Sequence, residues 1–274
     1  MLKIGISNSK SARWQAQLTQ DELARVGVES EAVPILSTKI EDALLRGEVD
    51  SLVRPMSQLP TEQATGLLIA ATSHRHDPAD WLLVRPAAVE PGKILKFRTG
   101  GHVAVSSDRQ RAQLSTFRPD ANVEKTENDP ATQLEQLQNG AFDALVVAAA
   151  DLLMLGSELA GFEAIKFNPR EFLPAPAQGV LAWLALRDDL PTRRILQRIH
   201  RPETSACTNV ERRALQLLPD ALKNSAGIFS ERDVAGYFHC FAVCEIDDEL
   251  RRIQISQSTS AGLAERVAEG LMKS

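Results

Sequence analysis

The chain has little of several things, and each shortage excludes a class of protein. Its 274 residues include three cysteines, Cys207, Cys240 and Cys244, too few for a disulfide framework. Cys240 and Cys244 are expected on one face of a strand, as small buried residues. No apolar run approaches the roughly 20 residues of a membrane span. Met1-Leu-Lys-Ile-Gly-Ile reads as a strand and not as a secretory leader, so a cytoplasmic location is expected. Excess positive charge is missing too. The net charge of −5 argues against a nucleic-acid or anionic-membrane surface. There is no internal repeat and no low-complexity tract. With 43% hydrophobic and 24% charged residues, the composition is that of a soluble globular chain long enough for two or three small domains.

Strand and helix patterns alternate along most of the sequence. Strands are expected at 2–6, 33–36 and 50–53. Helices are expected at 11–26, capped by Ser9 or Ser11, and at 38–46, with Ile40, Ala43 and Leu44 on one face and Gly47 at its end. This is a βαβ arrangement with a mostly parallel sheet. A second unit follows Asp77-Pro78, with strands at 103–107 and 144–147 and helices at 109–117 and 130–137. From about Arg193 the pattern changes to helix 211–218, a hairpin of 237–246 and 250–256 around Asp247-Asp248, and an amphipathic helix at 261–272.

Several segments carry a resemblance. Leu173-Pro-Ala-Pro-Ala-Gln178-Gly179 and the strand after it contain a Leu-Pro-x-x-x-Gln-Gly run. Ser9-Lys-Ser-Ala-Arg-Trp14-Gln15-Ala16 is similar to Ser-Pro-Leu-Ala-x-Trp-Gln-Ala. Asn139-Gly-Ala-Phe-Asp143-Ala144, Pro202-Glu203-Thr204 and Glu211-Arg212 follow in order. In these motifs the chain resembles the porphobilinogen deaminases (hydroxymethylbilane synthases). The resemblance implies an α/β fold: two lobes similar to periplasmic binding proteins with a cleft between them, and a small C-terminal α+β domain. It implies that 179–186 is a strand returning to the first sheet. The expected division is 1–78 with 174–192, then 79–173, then 193–274.

The resemblance also implies tetrapyrrole chemistry, the joining of four porphobilinogens with loss of ammonia on a cysteine-bound dipyrromethane. That needs a carboxylate to handle protons, a thiol to carry the primer, and arginines to pair with acetate and propionate groups. Between Asp50 and Pro60, which fix the register, Gln58 stands at the catalytic aspartate's position and Ser57 at the lysine's. Eleven positions after Glu211, the cysteine's position holds Leu222. Of the arginines only Arg109 is kept. Gln110 follows it, with Arg111 as a partial substitute, while Ser7, Glu127, Gln133 and Met154 stand where the others would be. Val33-Pro-Ile-Leu36 runs almost directly into Thr38, without the family's lysine- and glycine-rich loop.

No catalytic residue, dipyrromethane or metal is therefore expected; dipyrromethane would be present only if the family activity were retained. The residues left for a ligand are Ser9, Ser57, Ser106, Ser107, Arg109, Arg111 and Gln178. Ser106-Ser107 ahead of a helix, with Arg109 in its first turn, suits a small anion. Three functions stay open: a catalytically degenerate relative binding a small anion or a partner, an active hydroxymethylbilane synthase, and a scaffold or regulator of another tetrapyrrole enzyme. A monomer is expected. His74-Arg75-His76-Asp77 reads as a hinge ion-pair segment rather than a metal cluster. Trp14, Trp81 and Trp183 read as packing residues, and 245–249 as a solvated turn.

Overall fold

Alternation of apolar residues decides which face each strand buries, and in the computed structural model it builds three sheets. The structure describes residues 1–36, 40–156, 159 and 161–273. They form two compact units, Met1–His76 with Ala177–Ala206 and Asp77–Pro176 with Cys207–Ser274. The class is α/β. Among the described residues no helix is long and apolar enough to cross a membrane.

The first unit contains β1 (Leu2–Ser7), α1 (Lys10–Arg25), β2 (Ser30–Ile35), α2 (Ile40–Leu45), β3 (Ser51–Pro55), β4 (Leu67–Thr72), β10 (Leu181–Leu186) and α6 (Leu190–Gln197). The sheet order is β2-β1-β3-β10-β4. β1 runs parallel to β2 and β3, and β10 is antiparallel to β3 and β4. The expected return of this strand to the first sheet is therefore observed. Leu2, Ile4, Ile6, Leu181 and Trp183 pack on one face with Ala12, Ala16 and Leu23 of α1. Leu52, Ala182 and Leu184 pack on the other with Ile40, Ala43 and Leu44 of α2. Gly5 is required where β1 meets β3, because a Cβ there would lie 2.6 Å from Leu52 Cδ2. Trp183 is fully buried and donates its indole N–H to Thr19 Oγ1 at 3.0 Å. The expected start of the second helix at Thr38 lies outside the described residues.

The second unit contains β5 (Asp80–Val84), β6 (His102–Val105), α3 (Asp108–Phe117), β7 (Asn122–Lys125), α4 (Pro130–Gln138), β8 (Ala144–Ala148), α5 (Ala149–Leu155) and β9 (Glu163–Lys166). Its sheet order is β7-β6-β8-β5-β9. Leu82, Val84, Val103, Val105 and Val146 face Leu114, Phe167 and Phe172. Leu83, Ala104, Leu145 and Val147 face Leu134, Leu137 and Phe142. Phe167 and Phe172 stack at 4.2 Å.

α7 (Pro202–Leu217) starts nine residues before the expected helix, with proline at its first position, where no intrahelical N–H is needed. It is followed by α8 (Asp220–Lys223) and the antiparallel sheet of β11 (Gly227–Arg232), β12 (Phe238–Ile246) and β13 (Glu249–Gln257), with α9 (Leu263–Met272). The β12–β13 hairpin turns at Asp247 and Asp248, both left-handed at φ 52° and 62°, as a tight two-residue turn demands. Leu263, Val267 and Leu271 form the buried stripe of α9.

Candidate functional site

In an open parallel sheet, ligands lodge beyond the C-terminal strand ends, where successive crossovers leave in opposite directions. Each unit has one such point. In the first unit the crossover from β1 leads to β2 and that from β2 leads back past β1 to β3. In the second, β6 leads to β7 and β7 leads back past β6 to β8.

Beyond β1 and β3 stand hydroxyl and amide groups. Ser9 caps α1, its Oγ accepting the Ala12 N–H at 3.1 Å. Ser9 Oγ also lies 3.3 Å from Ser7 Oγ and 3.1 Å from Ser11 Oγ. After β3 the chain makes a single turn, Met56–Gln58. Met56 and Leu59 are buried in the core, and the Met56 N–H is held by the Val180 carbonyl at 2.8 Å. Anchored on both sides, Ser57 and Gln58 are left exposed. Gln58 thus presents a neutral amide at the end of β3. Gln178 lies at the same sheet edge, since Leu181 pairs with Pro55. It is buried, and its carbonyl accepts from Arg75 Nε at 3.1 Å.

The segment His74–Ala79 is not a strand. The His76 ring instead meets Trp14 edge to face at 5.4 Å, and burial, with the neighbouring His74, lowers its pKa. One ion pair of this segment is Asp77–Lys166, at 2.9 Å.

Beyond β6 and β8 the arrangement differs from the sequence expectation. Ser107 caps α3 by accepting the Gln110 N–H at 3.2 Å. Ser106 is exposed. Its N–H goes to Gln110 Oε1 at 2.8 Å, and its hydroxyl meets the fully buried Gln133 amide at 3.1–3.2 Å. Arg109, expected to face a ligand, is only 4% exposed. Its guanidinium donates to Asp80 at 2.7 Å and to the Leu173 carbonyl at 2.6 Å. Gln110 donates to the other Asp80 oxygen at 2.9 Å. A buried guanidinium is retained only when its charge is matched, and Asp80 matches this one. Arg111 is likewise engaged, with Glu245 at 2.7 Å.

One residue here escaped the sequence reading. Asp151 lies in the first turn of α5, directly after β8, and is partly buried. Burial, with a smaller contribution from the Asp80 charge, pushes its carboxyl up to about 6. The signal in the sequence was a single carboxylate within Ala149-Ala-Asp-Leu-Leu-Met-Leu155, but acids in the first turn of a helix are commonplace.

Leu222 belongs to α8, where its carbonyl accepts from the Ser225 N–H at 3.2 Å and from its hydroxyl at 3.2 Å. The three cysteines are buried and form no disulfide. Burial raises the pKa of both Cys240 and Cys244, so neither offers a ready thiolate.

The motif 139–144 performs a scaffold task. Gly140 is left-handed at φ 82°, and Asp143 accepts the His102 N–H at 2.9 Å and Arg98 Nε at 2.9 Å. This fastens the start of β8 to that of β6.

Residues 32–194 match the family profile described as "Porphobilinogen deaminase, dipyromethane cofactor binding domain". The chain belongs to the porphobilinogen deaminase family. It is 34% identical over 241 residues to the porphobilinogen deaminase of Acidothermus cellulolyticus, covering 78% of this chain and 70% of that protein. With the porphobilinogen deaminase of Xylella fastidiosa strain 9a5c it shares 27% identity, covering 99% of this chain and 95% of the relative. Among solved structures it is similar to a periplasmic substrate-binding protein of an ABC transporter from Coxiella burnetii, with 13% identity and a TM-score of 0.49, covering 75% and 94% of the two chains. Family membership ties the chain to tetrapyrrole biosynthesis.

Proposed function

We propose that this deaminase-family chain does not polymerise porphobilinogen and instead holds one small ligand with an anionic group at its strand ends. The observation that carries this reading is Gln58. It occupies an exposed turn after β3, anchored by buried Met56 and Leu59, at the position where the family resemblance expects the proton-handling aspartate. An amide carries no charge and exchanges no proton near neutrality. The loss of a positioned acid or base typically costs about 10²- to 10⁴-fold. Leu222 cannot form the thioether that would carry a primer.

The donors available at the strand ends are neutral: Ser9, Ser57 and Gln58 in the first unit, Ser106 and Ser107 in the second. Arg109 and Arg111 are already engaged within the protein. Either set, taken by itself, suits a ligand with a single carboxylate better than a growing polypyrrole with many.

Intact mass of the purified protein, before and after incubation with porphobilinogen, tests the reading. The expected result is the unmodified mass in both samples. A covalent dipyrromethane that grows by pyrrole units would overturn it and establish an active synthase, the function that the relatives' names favour.

A further inference from the structure

The C-terminal sheet sets a serine, a histidine and an aspartate in one hydrogen-bonded series. The two-residue turn at Asp247-Asp248 makes Ile246 and Glu249 a hydrogen-bonded pair. By alternation, Cys240 with Ile255 and Phe238 with Gln257 are bonded pairs too. His239 and Ser256 between them form a non-bonded pair, the kind whose side chains lie closer together. His239 Nδ1 lies 2.7 Å from Ser256 Oγ, and Nε2 lies 3.1 Å from Asp233 Oδ2. Asp233 stands in the turn between β11 and β12, and its other oxygen accepts the Tyr237 N–H at 2.8 Å. The bond from His239, with that N–H, holds the Asp233 carboxyl below its ordinary range. A carboxylate only accepts, so in the neutral imidazole Nε2 carries the proton and Nδ1 accepts the Ser256 O–H. The same alternation turns the Ser256 N–H away from β12, at the edge of the sheet. That N–H has no backbone partner among the described residues.

We propose that Ser256 is a nucleophile towards small activated esters, with His239 as its general base and Asp233 as the positioning residue. Such a set is recognised by geometry and roles, not by place in the sequence. Ser256 Oγ bonds the ester carbonyl carbon as its proton passes to His239 Nδ1. The carbonyl electron pair moves onto oxygen, where the free Ser256 N–H can stabilise it. Collapse breaks the bond to the leaving alcohol, which takes the proton from the imidazolium. Water, deprotonated by the same imidazole, then releases the acid and restores the serine. The site is open, since His239 is only partly buried and Ser256 is exposed. It therefore admits small esters without enclosing them. The turn that carries Asp233 also exposes Val234 and Tyr237, apolar surface suited to an aryl ester. The proposal does not depend on the strand ends or on porphobilinogen.

Two probes test it on the full chain: diisopropyl fluorophosphate, whose phosphorus takes the serine oxygen as fluoride leaves, and p-nitrophenyl acetate. The phosphoryl adduct is located by peptide mass spectrometry. In the wild type, Ser256 should react ahead of every other serine, and the preference should vanish in urea. His239→Gln should slow labelling at Ser256 and ester hydrolysis by about 10²-fold. Asp233→Asn should also slow both, and Asp233→Glu, which keeps the carboxylate, should recover part of the loss. All three side chains lie at the surface, so melting temperatures should stay close to that of the wild type. Labelling spread evenly over the serines, or a Ser256 rate unchanged in His239→Gln, would overturn the proposal. So would an ester hydrolysis that survives Ser256→Ala.

Discussion

Replacing Asp151 by asparagine should change how stability depends on pH. The folded-state carboxyl titrates at about 6, against an ordinary 3.8. Between these values the folded protein holds a proton that the unfolded chain has released. The contribution of Asp151 to stability is therefore fully present below about pH 4 and is lost as pH rises through 6. A difference of about two pH units corresponds to about 3 kcal/mol. Asparagine has its own burial cost, which does not vary with pH. The useful quantity is thus the difference in unfolding free energy between variant and wild type, followed from pH 4 to 7.5 by urea denaturation. That difference should move by about 2 kcal/mol in favour of the variant across the window, since part of the change already lies below pH 4. Parallel curves for the two proteins would refute the reasoning, since they would mean that the carboxyl ionises as readily in the fold as in water.

Two further outcomes follow from the same accounting. Asp80→Asn leaves the buried Arg109 guanidinium without its charge partner and should cost about 3–5 kcal/mol, read from urea unfolding; a loss below about 1 kcal/mol would mean that the pair is solvated. His200 should behave in the opposite sense to Asp151. Its Nδ1 accepts the Thr72 N–H at 3.2 Å and burial lowers its pKa below the ordinary 6.5, so its contribution is present above 6.5 and is lost as pH falls through the folded value. Imidazole NMR should place its midpoint below 6.5, and a midpoint at or above 6.5 would contradict the observed hydrogen bond.

Much of the fold was legible because period and punctuation agreed. Of the two caps the sequence offers for α1, Ser9 is the one observed, Ser107 of the expected Ser106-Ser107 pair caps α3, and Asp247-Asp248 is the hairpin turn. The elements that escaped had ambiguous signals. β4, Leu-Leu-Ile-Ala-Ala-Thr, is a continuous apolar run whose period distinguishes neither strand nor helix. β5 carries at its head a buried aspartate, Asp80, whose matching charge lies 29 residues away in Arg109. That separation also hid the role of Arg109, since nothing local marks a guanidinium as already paired. α6 carries start signals of its own, since Asp189 caps it through the Thr192 N–H and Pro191 stands in its first turn. Neither signal reveals Asp151, because its interest comes from the absence of a partner, and absence has no sequence pattern.

Residues that carry the family resemblance make bonds inside each unit, which bears on what the resemblance can imply. Leu173 anchors through both backbone atoms: its N–H goes to Gln113 Oε1 at 2.7 Å, and its carbonyl accepts from Gln113 Nε2 and from Arg109. Gly179, left-handed at φ 80°, accepts the His76 N–H at 2.7 Å. Glu211, fully buried, accepts the Ser230 N–H at 2.7 Å. Each of these would be expensive to change whether or not the protein performs chemistry: loss of the Glu211 carboxylate leaves the Ser230 N–H unpaired, the left-handed φ of Gly179 disfavours any other residue, and the Leu173 side chain packs with Phe229 and Val243. Gln58 is exposed and Leu222 only partly buried, so packing places little demand on either identity. Identity with the deaminases is therefore informative about the scaffold, whereas under the proposed reading the reaction would depend on these two weakly constrained positions. That asymmetry is why the mass measurement, and not a higher degree of overall similarity, decides whether this chain is a synthase.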